Sequence, residues 1–324
     1  MTLMLDAARM EGAIGMREAI DLLEETLKHQ AAGRTTVSPK FNTEFDGGAM
    51  RILFAADSAA GYCAMKAYHN VKGAGTRYVV ILYDLRNGEL LAILDGRIIT
   101  DLRTGAASGV AARRVKLEQP VTIGIIGSGN QARMQLESLA SVYRVKSASV
   151  FSPTPANRET FAREMSARLG FSVTPVDQAE QAVRGHSVVA TASNARMPDP
   201  IVKGAWLSEC RLLCAVGNTR QQFAEVDEQC FRDAARVIVD SEHAFEEAGE
   251  LRRAADAGAP PRSKCATLAE IVTGKAEVPA GGLVTFKSVG MALQDLALAA
   301  RYYELLRDRP GAVTVPEVAS LRPR

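Results

Sequence analysis

Residues 121–143 read VTIGIIGSGNQARMQLESLASVY, and the change of pattern inside this stretch decides the fold. Val121 to Ile126 is an apolar run rich in β-branched residues, the composition of a buried strand. Gly127, Ser128 and Gly129 interrupt it. From Asn130 the spacing becomes helical, with Ala132, Leu136, Leu139, Ala140 and Tyr143 on one face. A strand before it and a helix after it give the glycine pattern its chemical meaning. Gly127 permits a tight turn, Gly129 lets a pyrophosphate approach the backbone, and Ala132 is small where helix and strand pack. The N–H groups of the helix start, at Asn130 and Gln131, would hold the phosphates. The stretch therefore predicts a dinucleotide-binding turn.

Beyond it, strands and helices alternate. Strands are expected at Ser147–Phe151, 187–192, Leu212–Val216 and Val237–Val239, with a helix over Asn157–Leu169. That alternation implies an α/β Rossmann fold with a doubly wound parallel sheet. The chain before residue 121 reads differently. A helix over 17–28 buries Ile20, Leu23 and Leu27, and a polar, turn-rich stretch covers 31–48. Strands follow at 50–56 and 78–85, with another candidate at Gly61–Lys66; Asn87-Gly88 then signals a hairpin into ELLAIL. A small-residue helix over 100–115 leads into the Val121 strand. At the other end, Val289, Leu293, Leu296, Ala300 and Tyr303 define one long helix, which Arg309-Pro310-Gly311 ends; the tail beyond reads as loose.

The 324 residues, 47% hydrophobic and 23% charged, give room for two domains and the balance of a soluble globular protein. The net charge of +2 comes from scattered basic residues, and Arg113-Arg114 and Arg252-Arg253 are too short to form a nucleic-acid stripe. None of the five cysteines forms a CxxC, and Cys210/Cys214 has no histidine at zinc-ligand spacing. The four histidines form no local metal pair, so no metal is expected; His69, close after Lys66, could enter a site or be a surface or packing histidine. Asp6 and Glu11 in the opening MTLMLDAARMEG argue against a signal peptide, and no apolar stretch is long enough to span a membrane. The expectation is a cytoplasmic protein whose partners are neither nucleic acid nor membrane.

Three groups stand out chemically. Lys66, in the apolar GYCAMKAYHN, can be desolvated and so suited to proton transfer, or can be a surface lysine with a snorkelling stem. Arg103 stands in a run of small residues, where its fork suits a carboxylate or a structural salt bridge. After the second Rossmann strand, Phe151 to Arg158 contains no acid for a ribose 2′-hydroxyl. Ser152, Thr154 and Arg158 could instead receive a 2′-phosphate, which favours NADP(H) over NAD(H), although Arg158 can equally be an exposed residue at a helix start.

Five segments make the chain resemble the ornithine cyclodeaminase/mu-crystallin family: Met65-Lys66, Leu102 to Ala107, Gly127 to Ala132, Ala215-Val216-Gly217-Asn218 and Phe286 to Gly290. The resemblance implies a discontinuous α+β substrate and dimerisation domain, residues 1–115 and 291–324, around a Rossmann domain of residues 116–290. It also implies a homodimer that binds a small imino- or amino-acid substrate. By the same resemblance Lys66 is the catalytic residue, Arg103, Lys40 and Asn218 bind substrate, and Thr104 and Val216 contact the cofactor. For Lys40 the alternative is a solvated loop lysine, and for Asn218 a residue that shapes a loop or touches the nicotinamide. Asp295, in the C-terminal helix, is expected to cap or pair at the domain junction, with no catalytic role.

Asn218 departs from the ornithine cyclodeaminases, which carry an aspartate there; an amide cannot act as a base at neutral pH. The resemblance therefore points to NAD(P)H-dependent reduction of a cyclic or α-imino acid. The alternatives are an alanine-type amino-acid dehydrogenase, an ornithine cyclodeaminase, and a mu-crystallin-like NADPH-dependent binding protein.

Overall fold

The structure, a computed structural model, describes residues 1–193, 199–260, 262–311 and 313–316. The chain divides into two compact units, Met1–Arg103 with the chain from Met291 onward, and Thr104–Gly290. The first begins with β1 (Thr2–Leu5), α1 (Ala7–Met10) and α2 (Met16–Ala31). Ile20, Leu23 and Leu27 of α2 are buried, as their spacing required. Then come β2 (Thr35–Val37), β3 (Phe41–Phe45), β4 (Gly48–Asp57), β5 (Tyr62–Val71), β6 (Gly75–Asp84) and β7 (Leu90–Asp95). β4, β5 and β6 pair antiparallel, and one register line runs Leu53, Lys66, Val80. Gly88, at φ 74°, turns the chain between β6 and β7, the hairpin that Asn87-Gly88 signalled.

Two strands lie where the sequence reads as turns. β2 and β3 both pair with β4 inside the polar stretch 31–48. All five residues of β3 are exposed, so burial imposed no alternation that could mark it as a strand. Next, α3 (Gly96–Ala112) begins earlier than residue 100, because Asp95 Oδ1 accepts from the N–H groups of Arg97 and Ile98 at 2.9 and 3.0 Å. The division between units falls inside α3, ahead of the boundary expected after residue 115. From Thr104 on, α3 is tied to the second unit: Gln135 Nε2 donates to Thr104 O, Ser138 Oγ to Gly105 O, and the Tyr143 hydroxyl to Ala112 O and Val115 O.

The second unit continues with β8 (Val121–Ile126), α4 (Asn130–Val142), β9 (Val145–Phe151), α5 (Pro155–Leu169), β10 (Ser172–Pro175), β11 (Val188–Thr191) and β12 (Leu212–Ala215). α6 (Gln229–Arg232), β13 (Arg236–Val239), α7 (Ala244–Glu247), α8 (Gly249–Asp256), β14 (Cys265–Thr267), α9 (Leu268–Val272) and β15 (Val284–Lys287) complete it. All of its strand pairings are parallel, in the order β10-β9-β8-β11-β12-β15-β13-β14. This is the doubly wound sheet expected from the sequence. The strand order reverses at β8, and ligands of such sheets bind beyond the strand ends at that point.

The chain then returns to the first unit with α10 (Ala292–Leu306) and β16 (Val313–Val315). Val289 is not part of the last helix as its spacing suggested; it lies in the loop after β15, where its N–H is held by Asp240 from the end of β13. β16 pairs antiparallel with β1, so part of the tail expected to be loose is a strand; residues 317–324 lie outside the described residues. The first unit's sheet runs β16-β1-β7-β6-β5-β4-β2, with β3 also on β4.

Candidate active site

The second unit carries a turn shaped for an anion. Gly127 has φ 113°, and a Cβ there would stand 2.5 Å from Ala192 O, so only glycine makes the turn unstrained. Its N–H donates to Phe151 O at 2.8 Å, which pins the turn to the end of β9. Gly129 is the N-cap of α4 and no side-chain hydrogen bond covers that end. A Cβ on Gly129 would meet nothing within 4 Å, so the space in front of the helix is open. Gly129 and Asn130 are exposed, Gln131 is half-buried, and Ala132 is fully buried against the sheet. The start of a helix attracts phosphate, and this cradle fits a dinucleotide's pyrophosphate.

The segment after β9 is more crowded than the sequence suggested. Ser152 is buried and its hydroxyl receives the Ser128 hydroxyl at 2.9 Å; Thr154 is the exposed N-cap of α5. Arg158 is not an exposed residue at the helix start. It is 9% exposed, its Nη1 donates to Ser152 O at 3.0 Å, and its Nη2 pairs with the Asp177 carboxylate. The acid absent from residues 151–158 thus arrives from just past β10.

Beyond β11 and β12, Val216 N donates to Thr191 O at 3.0 Å. Glu225, buried, ties these two strand ends together: it accepts from the Thr191 hydroxyl, from Ser193 N and Oγ, and from Gly217 N, at 2.6–2.9 Å. Burial pushes its carboxyl up, while the nearby Lys287 ammonium opposes this. Asn218 donates through its amide to Phe223 O at 2.6 Å, to Arg220 O at 3.1 Å and to Glu250. Its Oδ1 accepts from Arg220 N, so the side chain shapes the loop that follows it. Lys287, with no exposed surface, donates to Asn218 O at 2.6 Å and Glu250 at 2.7 Å. Asp240 receives Ser288 Oγ and the N–H groups of Val289 and Gly290. The Phe286 to Gly290 segment is therefore held by two buried acids from other parts of the unit.

The first unit holds the other cluster. Lys66, 3% exposed on β5, donates to Thr100 Oγ1 at 2.6 Å and to Asp295 Oδ1 at 2.8 Å. Its ammonium lies 5.3 and 5.7 Å from the rings of Tyr78 and Tyr68, which stack on each other at 5.1 Å. Burial lowers the Lys66 amine to about 8; Arg103 and Lys40 act in the same direction, and Asp295 opposes them. The desolvated lysine, not the snorkelling one, is the form present. Arg103 lies one helical turn after Thr100 on α3 and reaches the first turn of α10. There Nε donates to Asp295 Oδ1 at 3.3 Å and Nη1 to Gln294 Oε1 at 3.1 Å. Thr104, the next residue on α3, is buried. Lys40, between β2 and β3, is half-buried; His69 lies further along β5, in register with Met50 and Arg77.

Among the described residues, no three His, Cys, Asp or Glu side chains are grouped to hold a metal, and no helix is long and apolar enough to cross a membrane. Cys210 and Cys214 are buried thiols pushed up to about 12 by desolvation, which makes them inert.

These features agree with comparison to known proteins. An alanine dehydrogenase of Archaeoglobus fulgidus is 30% identical over 312 residues, 94% of each chain. The ketimine reductase mu-crystallin of Mus musculus is 31% identical over 226 residues, 69% of this chain and 68% of that one. The structure of Thermococcus litoralis Delta(1)-pyrroline-2-carboxylate reductase in complex with NADH and L-proline matches with a TM-score of 0.90 at 28% identity, over 97% of this chain and 100% of that one. With a family model matching residues 1–309 besides, the chain belongs to the ornithine cyclodeaminase/mu-crystallin family.

Proposed function

We propose that the protein is an NAD(P)H-dependent oxidoreductase that reduces a small cyclic ketimine acid, of the 1-pyrroline-2-carboxylate or 1-piperideine-2-carboxylate type, to the amino acid. The observation that carries this reading is the buried Lys66 ammonium held beside the Arg103 guanidinium. Arg103, with Lys40, binds the substrate carboxylate as a charge-assisted pair. Lys66 delivers a proton to the imine nitrogen, which ends as the amine of the product. The Gly127–Ala132 turn would hold the pyrophosphate of a nicotinamide cofactor, which when bound would supply the hydride for the imine carbon. The relatives named above as reductases of a ketimine and of pyrroline-2-carboxylate support this substrate class.

The amine at about 8 is mostly protonated at neutral pH, the form an acid needs. Reduction is expected to hold below about pH 8 and to fall as pH rises through it, while amino-acid oxidation rises over the same range. Loss of nicotinamide absorbance with a panel of cyclic imino acids, and with pyruvate plus ammonia, tests the reading. Turnover confined to pyruvate plus ammonia would make the protein a dehydrogenase instead, and tight ligand binding without turnover would make it a binding protein.

NADP(H) is proposed over NAD(H), on the acid-free stretch 151–158 with Ser152, Thr154 and Arg158 beside it. Arg158 must exchange Asp177 for the 2′-phosphate, so the preference is modest. Asp177→Asn is expected to widen it by about two- to fivefold, the worth of an ion pair whose acid is exposed, roughly 0.5–1 kcal/mol. Arg158→Ala is expected to narrow it, and a wild type that binds NADH more tightly would contradict the proposal. A homodimer is proposed as well, because Phe41, Phe45, Met50 and Phe54 are exposed together on the paired β3 and β4. Sedimentation at micromolar concentration tests it, and a monomer there would overturn it.

A further inference from the structure

Asp295 joins the two cationic groups of the first unit. It lies in the first turn of α10 and is 1% exposed. A single oxygen, Oδ1, accepts from Lys66 Nζ on β5 and from Arg103 Nε on α3. The other oxygen, Oδ2, is buried and has no hydrogen-bond partner among the described residues. An ion pair built for stability alone would satisfy both oxygens, since a buried carboxylate with unmet acceptors is poorly compensated. Asp240, in the second unit, shows the contrast: both of its oxygens accept from the loop it holds.

We propose that Asp295 is the positioning residue of this site, holding the Lys66 ammonium and the Arg103 fork in fixed directions through one shared oxygen. This inference rests on the reading of Lys66 as proton donor and Arg103 as carboxylate anchor. Asp295 is also the negative charge in the Lys66 surroundings. The groups that face Lys66 are Asp295 from α10, Arg103 and the Thr100 hydroxyl from α3, Lys40 from the segment between β2 and β3, and the phenols Tyr68 and Tyr78 from β5 and β6. Without Asp295 the Arg103 and Lys40 charges act on Lys66 without its opposition, and the ammonium form is disfavoured.

The test follows the ε-methylene NMR signal of Lys66, in protein carrying isotope-labelled lysine, through a pH titration that needs no turnover. For Asp295→Asn the midpoint is expected about one pH unit or more below that of the wild type. The pH at which imine reduction declines should fall with it, and KM should rise about tenfold as the Arg103 fork loses its anchor. A purely structural ion pair would lower the melting temperature and also shift the midpoint, but would leave KM unchanged where Lys66 is protonated; a folded Asn variant with the wild-type midpoint, or with a shifted midpoint and unchanged KM below it, overturns the proposal. Should the Asn variant not fold, Asp295→Glu decides. It keeps the charge but displaces the shared oxygen, so kcat/KM should fall about tenfold with the midpoint close to wild type; unchanged kcat/KM overturns the proposal. A shifted midpoint in a protein that reduces no imine would uphold Asp295 as the group that holds Lys66 and overturn the proposed function instead.

Discussion

Replacing Lys66 with alanine is expected to lower kcat for a cyclic imino acid by about a hundredfold to ten-thousandfold, the usual worth of a positioned general acid. Among the described residues the groups around it are the Thr100 hydroxyl, two phenols, the Arg103 guanidinium, the Asp295 carboxylate and, acting through its charge, Lys40. The variant also leaves Asp295 with Arg103 as its remaining ion partner in a buried place, so some loss of stability accompanies the loss of rate. Arg103→Lys separates the two roles. It keeps the charge but loses the planar fork, so KM should rise while kcat changes less. A folded Lys66→Ala protein with wild-type kcat would show that the proton comes from elsewhere.

Gly129→Glu is expected to weaken nucleotide binding by about a hundredfold or more, because it sets a carboxylate where a pyrophosphate would lie, and opposed like charges cost several kcal/mol. The substitution suits this test because the fold tolerates it. The backbone at Gly129 has φ −80°, which any residue adopts, and a Cβ there meets nothing within 4 Å. Gly127 would be a poor choice: its φ of 113° and the nearness of Ala192 O mean that a side chain there disturbs the turn itself. Titration of nicotinamide fluorescence reads the result, and unchanged affinity in a folded variant would remove Gly129 from the cofactor site.

The contrast between these glycines shows what could be read from the chain. The change from β-branched run to helical spacing around Gly127 is a local signal, and the parallel sheet follows from its repetition. Asn87-Gly88 is equally local, and it gave the β6–β7 hairpin. β15 was not legible, because Thr285 and Lys287 break its apolar run; both are buried, and Lys287 is neutralised by Glu250, far away in sequence. The same distance hid Asp177, Glu225 and the partners of Asp295. Each of these acids is unremarkable in its own segment, and its role exists only once folding sets it against Arg158, the ends of β11 and β12, or Lys66. Lys66 and Arg103 stood out because a long cation in an apolar or small-residue stretch is unusual. Neither stretch carried a sign that one carboxylate oxygen would join them.

As a reductase of the proposed kind, the protein takes a preformed imine and does not make one from a diamine. The amide of Asn218, occupied by Arg220, Phe223 and Glu250, offers no base for loss of ammonia. The direct measurement gives the wild-type protein 1-pyrroline-2-carboxylate with NADPH in one reaction and L-ornithine with NAD in another, and follows proline and ammonia by chromatography. The expected result is proline from the imine and no appreciable proline from ornithine. Proline formed from ornithine at a rate comparable to imine reduction would contradict the reductase assignment and make the protein a cyclodeaminase.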